Sequence, residues 1–314
     1  MTAPKLIFAG TGPFAVPVLR ALAKRCWVVQ VASQPDRPAG RGLEACPSAV
    51  SREAQALELP LAKPRSINAP EVLEDLREHQ PNLMVVAGFG QLLKRSALDL
   101  PAKGCINVHG SLLPRWRGAA PVARAVMNGD EETGVTTIIL DEGMDTGPIL
   151  LQRRTSIGEE ETAEEVEARL AAMGAELAVE SIQGLLEGSL EPQPQPAEGT
   201  IAAKLTREEG KVDWAQDTWT IHNLVRGTQP WPGAWTKLNE RRVKLLRSRP
   251  TDLPPADHAP GTVIPAKQSL LVATGNGVLE LLLVQPEGCR PMPGQAFQAG
   301  YCRREPVRLG TCSS

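Results

Sequence analysis

Asn107, His109 and Ser111 occupy every second residue of the stretch GCINVHGSLLPRWRGAAP (residues 104–121), in a chain with only four histidines. In extended backbone, alternation sends Cys105, Asn107 and His109 to one side and Ile106 and Val108 to the other. An amide and an imidazole aimed together at a strand end make a hydrogen-bonding pair that a core would not require. Either the strand end is ordinary polar trim, or these side chains converge on a substrate. Downstream, LDEGMDTGPIL (140–150) puts Asp145 in a glycine-flanked turn before the chain re-enters a strand. Alone, such an aspartate is turn chemistry; coupled to Asn107 and His109, it is the candidate partner of the imidazole. The remaining histidines are scattered singly and the six cysteines form no CxxC pair, so no metal site is expected.

The elements around these residues alternate. KLIFAG, WVVQVAS, NLMVVAG, GCINVH, GVTTIIL and PILLQRR read as strands. GPFAVPVLRALAKR, SAVSREAQALEL, APEVLEDLREHQ, AAPVARAVMNGD and TAEEVEARLAAMGAELAVESIQGLLEG have helical spacing. Short apolar strands separated by helices predict a Rossmann-like, mainly parallel, doubly wound α/β sheet. Ligands bind such sheets beyond the carboxyl ends of the strands, where GCINVHG stops. The turn AGTGPFA supplies Gly10, Gly12 and Ala15, a near match to a dinucleotide-binding turn. However, the second strand offers Gln30 and Ser33 where a ribose would want an acid, and Pro13 removes a backbone donor, so the turn reads as structural.

The texture changes near residue 190. SLEPQPQPAEGT has three Glu-Pro or Gln-Pro steps and no periodicity, the mark of a semi-rigid linker. Beyond it, GAWTKL, RRVKLLRS, GTVIPA, SLLVATG and GVLELLLVQP are short strands, the last two joined by a TGNG hairpin turn. These predict an OB-like C-terminal β-barrel. The expected division is a catalytic domain over 1–189, a linker over 190–207 and the barrel over 208–314.

With 314 residues, 42% hydrophobic and 22% charged, the composition is that of an ordinary two-domain globular protein. No apolar run approaches a membrane span and MTAPKLIFAGTG reads as a first strand, so a cytoplasmic protein with reduced thiols is expected. Net charge is −2, but residues 159–191 carry ten acids against Arg169 alone, and residues 200–249 carry ten basic residues against five acids. Such asymmetry fits solvated faces or a basic second half that meets phosphate.

NVHGSLLPRWRGAAP together with GMDTGPIL resembles the 10-formyl-tetrahydrofolate-dependent formyltransferases. The resemblance implies a catalytic set of Asn107, His109 and Asp145, and a folate-binding segment of Ser111, Leu112, Leu113 and Pro114. The loop QPDRPAGRG and the segment RGTQPWPGAWT narrow it to members acting on methionyl initiator tRNA, over essentially the whole chain. It implies 10-formyl-tetrahydrofolate as formyl donor, no metal, a monomer, and tRNA contacts from Arg37 and Arg41 in the loop. In the barrel, Lys204, Arg207, Arg241, Arg242 and Lys244 are candidate phosphate contacts, with Lys211 and Arg247 beside them. One departure stands out: Leu43 and Glu44 follow the loop's Gly-Arg-Gly where family members often carry lysines, leaving the contact to Arg37 and Arg41.

The implied chemistry is attack of an α-amine on a formyl carbon through a tetrahedral oxyanion. Asn107 would donate to that oxygen, and His109, held protonated by a nearby Asp145, would donate a second bond and deliver a proton to the departing folate nitrogen. No covalent enzyme intermediate is required, so Cys105 is expected to be packing. Two rival readings are a formyltransferase for a nucleotide sugar or glycinamide ribonucleotide, and a non-catalytic RNA-binding protein using the barrel.

Overall fold

The structure, a computed structural model, describes residues 4–39, 44–254, 257–302 and 307–310. In chain order the first half forms β1 (Lys5–Gly10), α1 (Ala15–Arg25), β2 (Trp27–Ala32), β3 (Arg37–Ala39), β4 (Glu44–Cys46), α2 (Ala49–Ala56) and β5 (Leu61–Ala62). There follow α3 (Pro70–Glu78), β6 (Leu83–Ala87), α4 (Arg95–Leu98), β7 (Cys105–His109), β8 (Arg117–Gly118), α5 (Pro121–Asn128), β9 (Glu132–Ile139), β10 (Ile149–Ser156) and α6 (Ala163–Glu187). The rest comprises β11 (Ile201–Ala202), α7 (Thr218–Gly227), β12 (Ala234–Leu238), β13 (Arg241–Pro250), β14 (Val263–Ile264), β15 (Leu270–Ala273), β16 (Val278–Pro286), β17 (Met292–Pro293) and α8 (Gly294–Tyr301).

The chain divides into two compact units. One holds Met1–Pro121, Glu132–Ser156 and Glu167–Ala203; the other holds Val122–Glu131, Ile157–Val166 and Lys204–Ser314.

The first unit carries a seven-stranded sheet in the order β10-β9-β7-β6-β1-β2-β5. From β5 to β7 every pairing is parallel. The last two pairings, β7 with β9 and β9 with β10, are antiparallel. Helices cover both faces, as the nearly continuous apolar strands require. Leu73 and Leu76 of α3 and Ala97 and Leu98 of α4 pack with Ile7, Met84, Val86 and Cys105 on one face. On the other, Gly174 of α6 lies against Val108 and Val135. The start of α6 is fixed by a reciprocal cap: Thr162 N and Oγ1 donate to Glu165 Oε2, and Glu165 N donates back to Thr162 Oγ1. Glu165 belongs to the second unit, as does Arg247, which adds a 2.6 Å bond to it; these donors, backbone first, hold its carboxyl at about 2.

The loop expected after β2 begins as a two-stranded ladder, β3 pairing β4 antiparallel with Arg37 opposite Cys46 and Pro38 opposite Ala45. Its base is held by Gln34 Nε2 on Phe89 O at 3.2 Å and by a 2.7 Å Lys63–Asp36 ion pair. Arg41 and Leu43 lie outside the described residues, as does the side chain of Glu44.

The second unit is a curled antiparallel sheet, a half-barrel of OB type, in the order β12-β13-β16-β15-β14, with β17 added to β16. The TGNG hairpin forms as expected, Thr274 N donating to Gly277 O at 2.9 Å. The core gathers Val243, Leu245, Val272, Leu279, Leu281 and Phe297 around Trp214. Helix α7 escaped the sequence reading because buried polar residues interrupt its apolar spacing. Ile221 and Val225 face the core, while His222, Asn223 and Arg226 are buried as well. Each finds partners: Arg226 donates to Asn223 Oδ1 and to the carbonyls of Gly158 and Glu161. Asp217 caps the helix by accepting from Thr220 N at 2.9 Å, a bond typically worth ~1 kcal/mol.

His222 lies 3.0 Å (Nδ1) from Ser248 Oγ and 2.9 Å (Nε2) from Glu159 O. A carbonyl only accepts, so Nε2 donates and Nδ1 accepts the serine hydroxyl, leaving a neutral ring. Burial, reinforced by the neighbouring Arg226, outweighs the Glu159 carbonyl and the nearby Glu159 and Glu160 charges and holds His222 below its ordinary value of 6.5. The folded state therefore binds fewer protons than the unfolded chain. The stabilisation is present above that ordinary value and is lost as pH falls towards the folded value. Thermal unfolding between pH 7.5 and 5.5 should show the midpoint falling on acidification, and falling less in His222→Gln. An equal fall in both proteins would assign the pH dependence elsewhere.

Candidate active site

Strand β7 lies between β6 and β9, and every one of its five residues is buried. The alternation read from the sequence holds: Cys105 packs with α3 and α4, whereas Val108 faces α6. The Cys105 Sγ sits 3.8 and 3.7 Å from the Ala97 and Leu98 carbonyls, and burial pushes its thiol up to about 12. That is an inert packing group rather than a nucleophile.

Asp145 does not reach the site from a strand end level with His109. Because β9 runs antiparallel to β7, its end at Ile139 lies beside Ile106, and Thr136 lies beside His109. The segment 140–148 turns back over the face that carries Cys105, Asn107 and His109. Asp145 sits there in the left-handed region at φ 55°, which aspartate tolerates better than most residues. Asp141 Oδ1 braces the turn by accepting from Gly143 N at 3.0 Å and Thr146 Oγ1 at 2.8 Å. Gly147 is required by close approach, since a Cβ there would lie 1.8 Å from Ile139 O.

The Asp145 carboxylate is 13% exposed and its two oxygens face different partners. Oδ1 accepts from Asn107 Nδ2 at 3.1 Å. Oδ2 accepts from Gly118 N at 2.8 Å and stands 3.6 Å from His109 Nδ1. Gly118 supplies that donor at φ 113°, a conformation few side chains permit. The 3.6 Å separation is too long for a hydrogen bond. At its other nitrogen, His109 Nε2 lies 2.8 Å from Trp116 O, which only accepts. Nε2 is therefore a donor, and Nδ1 is turned to the carboxylate.

The segment after β7 is shaped from within. Ser111 Oγ donates to Arg115 O at 2.6 Å, and Thr136 Oγ1 links Ser111 O to Leu113 N. Gln152 Nε2 donates to Leu113 O at 2.8 Å. Ser111 and Leu113 are buried, whereas Leu112 and Pro114 are half-buried and keep surface to offer a ligand. Arg117 is buried, and its guanidinium is taken up by Gln195 Oε1 and the carbonyls of Pro196 and Ala197.

Sequence reading missed Thr136, Gln152, Arg117 and Gln195 as site-supporting residues. Thr136 is buried in a strand that looked like plain core, Gln152 is exposed on the edge strand β10, and Gln195 lies in the proline-rich stretch. Residues of that stretch are tied to the first unit: Gln193 and Ile149 exchange backbone bonds of 2.7 and 2.8 Å, and β11 pairs β8 in parallel. Among the described residues, no group of three or more His, Cys, Asp or Glu side chains could hold a metal ion. No described helix is long and apolar enough to cross a membrane.

Arg37 is exposed and donates to Gln34 Oε1 at 3.2 Å. In the second unit Lys204, Arg207, Lys211, Arg241 and Lys244 are exposed. Arg242 is half-buried, with its guanidinium 4.0 Å from the Trp235 ring centre. Register places Trp235 opposite Lys244 and Lys237 opposite Arg242, on the face away from buried Val243 and Leu245. Arg247, by contrast, is engaged with Glu165.

The family described as Formyl transferase matches residues 5–182, and that described as Formyl transferase, C-terminal domain, matches residues 204–302. A methionyl-tRNA formyltransferase of Solibacter usitatus is 44% identical over 98% of this chain and 98% of its own length. One from Paracoccus denitrificans is 45% identical over 94% of this chain and 97% of its own. Among solved structures, an N-formyltransferase of Helicobacter canadensis, in complex with folinic acid and dTDP-3-aminofucose, superposes with a TM-score of 0.67. It is 19% identical, over 90% of this chain and 99% of that one, a likeness of fold. By sequence over nearly its whole length, the chain belongs to the methionyl-tRNA formyltransferase family.

Proposed function

We propose that this protein transfers the formyl group of 10-formyl-tetrahydrofolate to the α-amine of methionyl initiator tRNA. The observation that carries this reading is the Asp145 carboxylate, bonded to the Asn107 amide through Oδ1 and facing the His109 imidazole from Oδ2. One hydrogen of Asn107 Nδ2 is committed to Asp145, and its second is free to meet the formyl oxygen. As the amine attacks, a C–N bond forms and the carbonyl electron pair moves to that oxygen, where a positioned donor is worth most. Collapse breaks the bond to the folate nitrogen. The proton leaving the ammonium reaches that nitrogen through His109, whose orientation Asp145 and Trp116 O fix. Leu112 and Pro114 offer apolar surface to the folate, while Ser111 and Leu113 hold the turn that presents them.

The proposed tRNA contacts are phosphate contacts, which position a nucleic acid without reading sequence. The exposed Lys204, Arg207, Arg241 and Lys244 and the Trp235-stacked Arg242 support them, and Arg37 and Arg41 extend them to the β3–β4 loop. A nucleotide sugar as acceptor is the alternative; identity above 40% to relatives named for tRNA, against 19% to the sugar enzyme, favours tRNA.

Formylation of charged initiator tRNA by the purified protein with 10-formyl-tetrahydrofolate tests the reading directly; activity on an amino sugar nucleotide alone would overturn it. His109→Ala and Asp145→Ala should each lower kcat by ~10²–10⁴, the usual share of general acid–base help. Asn107→Ala should cost ~10²–10³, the share of one oxyanion donor. Folding and tRNA binding should survive in all three, and near-normal turnover would remove that residue from the set. Binding of tRNA should weaken steeply with salt, the logarithmic slope growing by ~0.7–0.9 per phosphate neutralised. Folate binding should respond far less; a flat tRNA response would make the basic residues mere solvated surface. Arg41→Ala should raise KM for charged tRNA and leave folate binding unchanged, and wild-type kinetics would exclude the loop from the contact.

A further inference from the structure

The stretch EPQPQPAEGT (191–200) has no periodicity and most of its residues are exposed, yet one side chain in it bonds to the turn that carries Asp145. Gln195 is half-buried. Its Nε2 donates to Asp145 O at 2.8 Å and to Gly147 O at 2.6 Å, two carbonyls of the same turn. Its Oε1 accepts from Arg117 Nη2 at 2.9 Å and Arg117 Nε at 3.2 Å. A guanidinium only donates and a carbonyl only accepts, so the amide can be oriented in one way only. Arg117 is anchored in turn by the carbonyls of Pro196 and Ala197, and the next residue, Gly118, donates its N–H to Asp145 Oδ2. The bonds therefore close a ring: Gln195 holds the backbone of Asp145, Arg117 holds Gln195, and the residue after Arg117 holds the carboxylate. The same stretch reaches the histidine side, because Thr200 Oγ1 accepts from Trp116 N at 2.8 Å and Trp116 O holds His109 Nε2.

We infer that Gln195 is a positioning residue for formyl transfer, setting the Asp145 carboxylate against Asn107 and His109 through the backbone of its turn. The inference rests on the catalytic set proposed above. It reaches into a segment that the sequence presents as a spacer. Asp145 at positive φ has no regular ladder to hold it, so the two bonds from one amide fix where its side chain starts. A shift of ~1 Å in a catalytic group can cost ~10²-fold in rate. Without the amide, the two carbonyls lose a partner and the turn relaxes towards solvent.

Gln195→Glu is the discriminating substitution. It keeps an oxygen towards Arg117, so the stretch stays docked, but sets a carboxylate oxygen against the Asp145 and Gly147 carbonyls. Expected is a ~10–100-fold fall in kcat, KM for charged tRNA and for 10-formyl-tetrahydrofolate within ~3-fold, and a nearly unchanged unfolding midpoint. Gln195→Ala, which removes the repulsion together with the donor, should fall in the same range. In an Asp145→Ala background neither change should reduce turnover further, because a residue acting through Asp145 has nothing left to position. Wild-type kcat in Gln195→Glu, a change in KM alone, or a full further loss in the Asp145→Ala background would overturn the inference. If Asp145→Ala is itself fully active, the catalytic set is wrong; if it is impaired while Gln195→Glu turns over normally, only the role of Gln195 falls.

Discussion

A carboxylate that is 13% exposed must have its charge answered by donors, and the first unit is organised around answering Asp145. Hydrogen bonds to an ionised oxygen are roughly twice as strong as neutral ones. Asn107 on β7 and the backbone of Gly118 supply two of them, and His109 stands opposite as a third partner. The alternation of β7 puts the amide and the imidazole on one face. The antiparallel return of β9 brings the 140–148 turn back over that face, with Gly147 allowing the passage under Ile139 O. Asp145 is held through both carboxylate oxygens and His109 through Nε2, which leaves these two side chains little freedom to reorganise.

The same arrangement sets apart the groups proposed to carry chemistry. His109 is tethered at Nε2 by a carbonyl, which turns its Nδ1 towards the Asp145 carboxylate. Cys105, two residues before Asn107 on the same face, is removed from competition because burial lifts its thiol to about 12. Neighbouring positions on one strand thus differ in role through environment alone: one is desolvated among apolar side chains, the others face a charged partner.

Charge in the second unit is partly spent on structure. Glu165, from the acidic stretch, takes Arg247 from the basic one, and Glu280 takes Arg249. The local excess of positive charge that the sequence displays between residues 200 and 249 is therefore larger than the part left facing water. What remains on β12 and β13 is a basic face with an aromatic ring inside it, Arg242 stacked on Trp235 with Lys244 opposite Trp235. Such a surface suits phosphate and base planes together.

Strand alternation is local, so the sequence alone determined that Asn107 and His109 share a face, whereas the packing of Cys105 against α3 and α4 was decided by the fold. Hydrophobic runs broken by helical spacing determined the mainly parallel sheet, and turn residues such as TGNG determined the short strands of the half-barrel. Helix α7 stayed hidden because His222, Asn223 and Arg226 satisfy their polarity through partners distant in the chain, which no local period records. Asp145 could be named from the sequence, but not its route to the site. The direction of β9 depends on which neighbour its edge meets, and that is a property of the assembled sheet. Gln195 lay furthest from view. A glutamine among prolines signals nothing by itself; only the fold, by laying residues 193–202 along Ile149 and β8, gives its amide two carbonyls to hold and a guanidinium to hold it.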